Sequence, residues 1–381
     1  MKAYKYKIYH NKRKNDKLNE LINASCHIWN HVTKLNKRYY RLFGKNISST
    51  RMQSHIAKLR KNKPYWKQLN SQSVQEVVQR FYASMDRFFK KTQKRLPKSK
   101  PFRHFTSFLL KQSGYSLNNN VLTINGIGEY KFAKSREYGN IRNVRIKRNK
   151  FGEFFIIITS DKSVEDTTYG KSHNGAAVGC DFGLKTYLTL SDGNTIRSPL
   201  FYQQMSKDIR KAHKRLSSAK KGSSNRKRRR LELARLYDRL SNLRSDHHWK
   251  LAHRLCQNYG FISFETLNLS GMKKLFGKKV SDLSFGTFLT ILKHVSEKYG
   301  TTIHNIDRWY ASSKTCYDCG YVNKELMLKD REWICVGCGV THERDRNASN
   351  NILRQGIVEY RSRCKAPLAG QSAMIVESNW L

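Results

Sequence analysis

The sequence predicts an α/β protein of several domains, and three observations predict it. Apolar residues recur at helical spacing from about 16 to 98. Short β-prone runs follow between 103 and 161, separated by Asn/Gly turns. Beyond 175, strand-like runs alternate with long helical ones. A chain of 381 residues with 38% hydrophobic residues can also bury more than one core.

Tyr4, Tyr6 and Ile8 alternate with Lys5 and Lys7, the pattern of a half-buried strand at 3–9. In the helical block, Leu18, Leu21, Ile22, Trp29 and Val32 mark one buried face. A stretch free of Gly and Pro runs from Pro64 to Pro97, with Val74, Val77, Val78, Phe81, Met85 and Phe88 as its apolar stripe. Pro97 is expected to end that helix. Lys90, Lys91, Lys94 and Arg95 suit the dipole at a helix end, or equally contact with phosphates. Strands are expected at 105–110, 121–124, 129–132, 144–147 and 154–159, which suggests a small barrel or sandwich. If the strand at 3–9 joins it, the helical block is an insertion. A polar linker at 161–175 closes this half.

The second half opens with an apolar run at 176–180 that ends at Asp181. Strands at 187–190 and 195–197 flank the Asp192, Gly193, Asn194 turn. Helices are expected at about 203–221 and 226–256, broken at Gly222, Ser223 and Ser224, with Leu233, Leu236, Tyr237, Leu240 and Leu243 on the buried face. Arg226, Lys227, Arg228, Arg229 and Arg230 form a basic run, either a solvated face or a set of phosphate contacts. A strand at 261–264, a helix at 285–299 and a strand at 301–306 complete the pattern.

Charge narrows the function. The 74 Lys and Arg outnumber 28 Asp and Glu, for a formal net charge of +46. Self-repulsion on that scale calls for a polyanion, and nucleic acid is the fitting one. Aromatic residues, 12% of the chain, would add surfaces for base stacking. No apolar run approaches the roughly 20 residues of a membrane span. Residues 1–9 lack the apolar core of a signal peptide. Eight cysteines are too few for a disulfide scaffold, so a reducing cytoplasm is expected.

Three acids stand out. Asp181 lies in Gly-Cys-Asp-Phe-Gly at 179–183, where Gly183 permits a tight exit from the strand. Glu265 ends the strand-like run at 261–264, and Asp345 lies in His-Glu-Arg-Asp-Arg-Asn-Ala at 342–348, at the start of a helix. Singly, each reads as a cap or turn former. Together, in the order strand–Asp, strand–Glu, helix–Asp within a basic chain, they suit two Mg²⁺ ions that would activate water and stabilise charge on a scissile phosphodiester. Arg344 and Arg346 flank Asp345, as phosphate-neutralising cations or as plain surface charge.

Cys316, Cys319, Cys335 and Cys338 form C-x₂-C-x₁₅-C-x₂-C, with Gly320 and Gly339 directly after each pair. Four thiolates at this spacing suit one tetrahedral Zn²⁺, and full protein coordination makes such a site structural. Cys26, Cys180, Cys256 and Cys364 are core or incidental thiols.

These motifs, with Phe-Glu-Thr-Leu-Asn-Leu-Ser-Gly-Met at 264–272 and Ser-Ser-Lys-Thr-Cys at 312–316, resemble the TnpB family of transposon-encoded, RNA-guided nucleases related to type V CRISPR effectors. The match samples about 176–356, while the first half agrees only in layout. One departure is Glu343, where the family usually carries Asp. The resemblance implies an RNase H-like (RuvC) nuclease domain at 176–309 and 341–365, interrupted by a zinc-binding insertion at 310–340. A wedge-like β-barrel at 1–15 and 99–165 would enclose a helical recognition domain at 16–98, and 366–381 would be a tail. It further implies Asp181, Glu265 and Asp345 as metal-binding carboxylates, a guide RNA in a 1:1 complex with a monomeric protein, and a double-stranded DNA target next to a short protein-read motif. The site of action would be the bacterial nucleoid. A nuclease-inactive guided repressor and a transposase are the competing readings.

Overall fold

The computed structural model describes residues 2–111, 114–161, 175–327 and 329–365. The polar linker and the C-terminal tail expected from the sequence lie almost wholly outside them. Two compact units divide the chain, Met1–Asp166 and Thr167–Leu381.

In the first unit, strand β1 (Lys2–Lys7) leads into helices α1 (Lys12–Phe43), α2 (Ser49–Asn62), α3 (Pro64–Lys67) and α4 (Ser71–Phe89). The side chains of Asn11, Ser48 and Asn70 accept a backbone N–H at the starts of α1, α2 and α4. Helix α4 ends eight residues before Pro97, not at it. Lys91 turns left-handed (φ 56°), and the amides of Thr92 and Gln93 close back on the Arg87 carbonyl. Lys90, Lys91, Lys94 and Arg95 therefore follow the helix instead of forming its last turn.

Strands β2 (Ser107–Leu110), β3 (Tyr115–Asn118), β4 (Val121–Ile124), β5 (Gly128–Lys131), β6 (Ile141–Arg148) and β7 (Phe154–Ser160) follow. They make a four-stranded sheet in the order β1-β7-β6-β2 and a three-stranded sheet β3-β4-β5. Because β1 pairs along its length with β7, the helices are an insertion between paired strands. The expected barrel is not what forms. Neither sheet closes on itself, and among the described residues a lone bridge, Ile8 to Phe132, joins them. Closure needs a continuous ladder with consistent stagger. Here β2 is four residues long and spends its pairing on β6. Phe108, Ile146 and Ile156 from the sheet share one core with Leu18, Ile22, Val77 and Phe81 from the helices.

The second unit begins with strands β8 (Ala177–Phe182), β9 (Thr186–Leu190) and β10 (Thr195–Arg197) as an antiparallel meander. Helices α5 (Phe201–Ser217) and α6 (Ser224–Asn258) form a hairpin, with Ser223 capping α6. Leu233 and Leu240 face inward, but Tyr237 is exposed and hydrogen-bonds His213 (3.0 Å). Strand β11 (Phe261–Glu265), helices α7 (Leu269–Leu283) and α8 (Phe285–Tyr299), and strand β12 (Thr302–Ile306) follow. Strands β11 and β8 are parallel neighbours, as are β11 and β12, giving the order β10-β9-β8-β11-β12. A short hairpin, β13 (Glu332–Ile334) and β14 (Thr341–Glu343), leads into helix α9 (Arg344–Lys365). Helix α7 and the hairpin were not expected, although Leu269, Met272, Phe276, Val280 and Leu283 recur at helical spacing in α7.

Side-chain alternation gives the sheet two faces. Val178, Cys180, Phe182, Ile262 and Phe264 point into a core completed by Phe285, Phe288 and Leu292 of α8. Gly179, Asp181, Ser263 and Glu265 take the other face, on which α9 lies. A Cβ built on Gly179 would meet the Ser349 carbonyl at 2.1 Å, and one on Gly356 of α9 would meet Ser263 Oγ at 2.1 Å. Missing side chains at both positions let the sheet meet helix backbone at Gly179 and the helix meet the Ser263 side chain at Gly356. No helix among the described residues is long and apolar enough to cross a membrane.

Candidate active site

Asp181 and Glu265 lie one step beyond Cys180 and Phe264, the last residues paired between β8 and β11. Parallel neighbours in the same register put both carboxylates on one face at the carboxyl edge of the sheet, where open α/β sheets place their ligand sites. Asp345 enters from the first turn of α9, the helix seated on that face. The structure thus brings the three predicted acids into one neighbourhood.

Their electrostatics follow from that convergence. Burial pushes the Asp181 carboxyl well above the usual carboxylate range; the charges of Glu265 and Asp345 push it the same way, against Arg344 and the Phe182 amide. Burial also raises Glu265, opposed by the Ser312 hydroxyl, which donates to Glu265 Oε2 at 3.4 Å. Asp345 is held instead by Arg331, whose Nη1 lies 3.2 and 3.3 Å from its two oxygens. Hard oxygen donors gathered on one buried face are suited to divalent cations. The set is looser than the cysteine site. Among the described residues, the groups whose ligand atoms all lie within 4.8 Å of one another are the four cysteines and Cys316 with Asp318 and His342.

At the cysteine site, Cys316 and Cys338 are 3.7 Å apart at sulfur, and Cys319 and Cys335 are 3.5 Å apart. The glycines work as the spacing implies. Gly320 (φ 78°) and Gly339 (φ 74°) turn left-handed so that their amides reach the carbonyls of Cys316 and Cys335 at 3.0 and 2.7 Å. Against burial, the amides of Cys338 and Gly337 draw the Cys335 thiol down to about 7. Against the Val340 amide, burial and the neighbouring cysteines push Cys338 up to about 12. Four thiols crowded in this way compete for protons that a soft cation would displace. The arrangement is compatible with one structural zinc.

Other residues with roles here carried no signal of their own. Buried His342 lies with Nε2 3.0 Å from Cys316 Sγ and its ring against Trp333. Asn347 accepts from the Tyr317 amide (2.9 Å) and donates to the Thr315 carbonyl (2.8 Å). Asn351 donates to the carbonyls of Ser312 (2.9 Å) and Thr315 (2.6 Å). These two buried amides tie the cysteine segment to α9. Arg344 is also buried, its guanidinium spent on the Met327 carbonyl (2.5 Å) and Ser313 Oγ (3.4 Å). It acts as a clamp. Arg331 and Arg346 are the exposed cations beside Asp345.

The basic run on α6 is divided. Arg226 donates to the carbonyls of Leu216 and Ala219 (2.8 Å each), closing the α5–α6 hairpin. Arg229 pairs with Glu232 (3.0 Å), and Arg228 donates to Asn225 (3.3 Å). Lys227 and Arg230 are exposed. A groove of about 860 Å³ along the hairpin is lined by Lys211, Arg215, Arg228, Arg229 and Arg235, with Asp208 and Glu232 among them.

Fold and site define a class: a basic α/β protein whose mixed sheet and packed helix gather three acids beside a four-cysteine knuckle. Its resemblance to the TnpB family is borne out by comparison with known proteins. Residues 162–275 match the OrfB_IS605 family, described as "Probable transposase", and 285–352 match the TNB domain of Cas12f1-like proteins. A Streptomyces pristinaespiralis protein named "Putative RNA-guided DNA endonuclease" is 27% identical over 93% of this chain and 89% of its own length. The Escherichia coli K12 protein InsQ, of the same name, is 23% identical over 75% of this chain and 74% of its own. Mimivirus "TnpB-like protein L79" is 30% identical over 50% of this chain but 39% of its own. A solved complex of Cas12f1 with sgRNA and target DNA shares the fold, with TM-score 0.56 at 13% identity over 90% of this chain and 83% of that one.

Proposed function

We propose that this chain is an RNA-guided DNA endonuclease that cuts with a RuvC-like, Mg²⁺-dependent site. The observation that carries the reading is the convergence of Asp181, Glu265 and Asp345, with the Asp181 carboxyl raised by burial and then by its two neighbours. Two Mg²⁺ held by these acids would supply an activated water and charge neutralisation at the scissile phosphate. The protein's own part is positioning. Ser312 orients Glu265, α9 fixes Asp345, and the exposed Arg331 and Arg346 attract phosphate. A Zn²⁺ on Cys316, Cys319, Cys335 and Cys338 would hold the knuckle against α9. The net charge of +46 supports nucleic-acid partners, and the names of the relatives support a guide RNA and a DNA target. The domains at 1–15 with 99–165 and at 16–98 would grip RNA and the duplex beside the target, and Lys227 and Arg230 would face the RNA–DNA hybrid.

The test is plasmid cleavage by the protein purified with its RNA. A matching target should be cut in Mg²⁺, a mismatched one should not, and Asp181→Ala should abolish cutting. Target binding without cutting, unchanged by Asp181→Ala, would establish the guided repressor instead. The description of the OrfB_IS605 family favours a transposase as the second reading. Integration of labelled transposon ends without guide RNA would establish that one.

A further inference from the structure

We infer that Trp309 is a stacking platform that holds an unpaired base of the DNA strand entering the carboxylate site; the inference rests on the nuclease reading and deepens it. Trp309 is 87% exposed, whereas Trp29, Trp66 and Trp333 are buried and Trp249 is half-buried. Aromatic side chains ordinarily bury about 150–250 Å² each, so an indole exposed on an anchored loop beside the carboxylates offers a free face for stacking.

The loop backbone is held in place. The Trp309 amide donates to Asp307 Oδ1 (2.7 Å), and the Asp307 amide donates to Glu359 Oε1 on α9 (3.2 Å). The Ser312 amide closes on the Tyr310 carbonyl (2.9 Å), and Asn351 of α9 holds the Ser312 carbonyl. The loop is therefore anchored at both ends to the helix that carries Asp345.

It is also beside the chemistry. Trp309 follows β12 by three residues, and Ile306, which ends that strand, pairs in register with Glu265. Three residues further on, Ser312 donates to Glu265 Oε2. Three residues of chain span at most about 11 Å. That bounds the separation of the Trp309 and Ser312 backbones; with the reach of the side chains added, the indole lies within several nucleotides of the carboxylates at a rise of about 3.4 Å per stacked base. Exposed Arg308 next to the indole supplies a cation for the backbone of the same strand. Stacking accepts every base, which suits an enzyme that must cut whatever sequence it is directed to. Bases inside a duplex offer no free face, so the occupant is single-stranded.

The test uses the protein with its RNA, a matching DNA target and single-turnover cleavage. Removing a base-stacking aromatic costs about 1–3 kcal/mol, so Trp309→Ala should slow cleavage about 5- to 150-fold. Trp309→Phe should recover most of the rate, with zinc content and thermal midpoint unchanged in both variants. A second arm places 5-iododeoxyuridine at each position of either target strand in an Asp181→Ala background. Irradiation should join Trp309 to DNA within several nucleotides of the cut. Wild-type cleavage by Trp309→Ala, a Phe variant as slow as Ala, or no crosslink from Trp309 to either DNA strand would overturn the inference. If the wild type never cuts DNA, the nuclease reading fails on its own, and a Trp309 crosslink to the DNA strand, or its absence, still decides the platform.

Discussion

Replacing Gly179 with Ala tests whether α9 sits at the distance the carboxylates need. Gly179 has no positive φ, so the substitution strains no backbone dihedral. Its Cβ would lie 2.1 Å from the Ser349 carbonyl, 2.6 Å from the Leu353 amide nitrogen and 2.9 Å from Leu353 Cβ. Ordinary contact begins at 3.4 Å, so α9 must retreat by about 1.3 Å. The nearest obstacles are helix backbone, and no rotamer change removes them. Overpacking of this kind costs about 1–3 kcal/mol, a fall in melting temperature of about 2–12 °C for a unit of this size. Asp345 rides on α9, and Asp181 stands two residues beyond the clash. A displacement of about 1 Å at a reacting geometry costs about 10²-fold in rate. Thermal unfolding and single-turnover cleavage at saturating Mg²⁺ measure both effects. Wild-type values in the two assays would refute the argument that this close approach sets the site.

Four further outcomes are expected. With its folded-state carboxyl raised, Asp181 keeps a proton that the unfolded chain releases above about pH 3.9. Bound protons in the native state then exceed those in the unfolded state, so metal-free stability falls as pH rises from there to the raised value. Asp181→Asn should remove that fall and melt higher than wild type at neutral pH without Mg²⁺; a lower melting point at every pH would contradict the assigned repulsion. Cys335→Ser should take bound zinc from about one ion per chain to none, read by elemental analysis, with loss of cleavage. Arg331→Ala frees Asp345 from an exposed ion pair, a contact worth at most about 1 kcal/mol, so the Mg²⁺ midpoint for cleavage should fall by no more than about 5-fold. Asn347→Ala strands the half-buried Tyr317 amide, while the Thr315 carbonyl keeps its bond from Asn351, and chemical denaturation should show a loss of about 1–3 kcal/mol for the one unsatisfied group.

Much of the architecture was legible because its signals are local. The 3–9 alternation became β1, the 285–299 periodicity became α8 over the same residues, and the polar break at 222–224 became the cap of α6. Where local pattern is weak, the reading fell short. Helix α4 stops at Phe89, not near Pro97, because a left-handed Lys91 and two amides on the Arg87 carbonyl end it first. The two open sheets replace a barrel, since closure depends on pairing between distant strands. Gly183 opens the tight turn from β8 to β9 as expected, and the turn needs it for close approach: a Cβ there would lie 2.5 Å from the Thr186 carbonyl.

The sequence by itself determined the chemistry on offer: the positive charge, the three acids in order, and the cysteine spacing with its glycines. Charge, ligand type and turn preference belong to residues and survive without knowledge of the fold. The tertiary structure alone decided which basic residues have work inside the protein. Arg344 became a buried clamp, Arg226 a hairpin closure and Arg331 the partner of Asp345. It also revealed that α9 lies on β8 through Gly179, and that Trp309 stands exposed on a loop anchored beside Glu265. A guanidinium or an indole has no assigned role until the packing around it fixes what it touches, and that packing is set by residues far away in the chain.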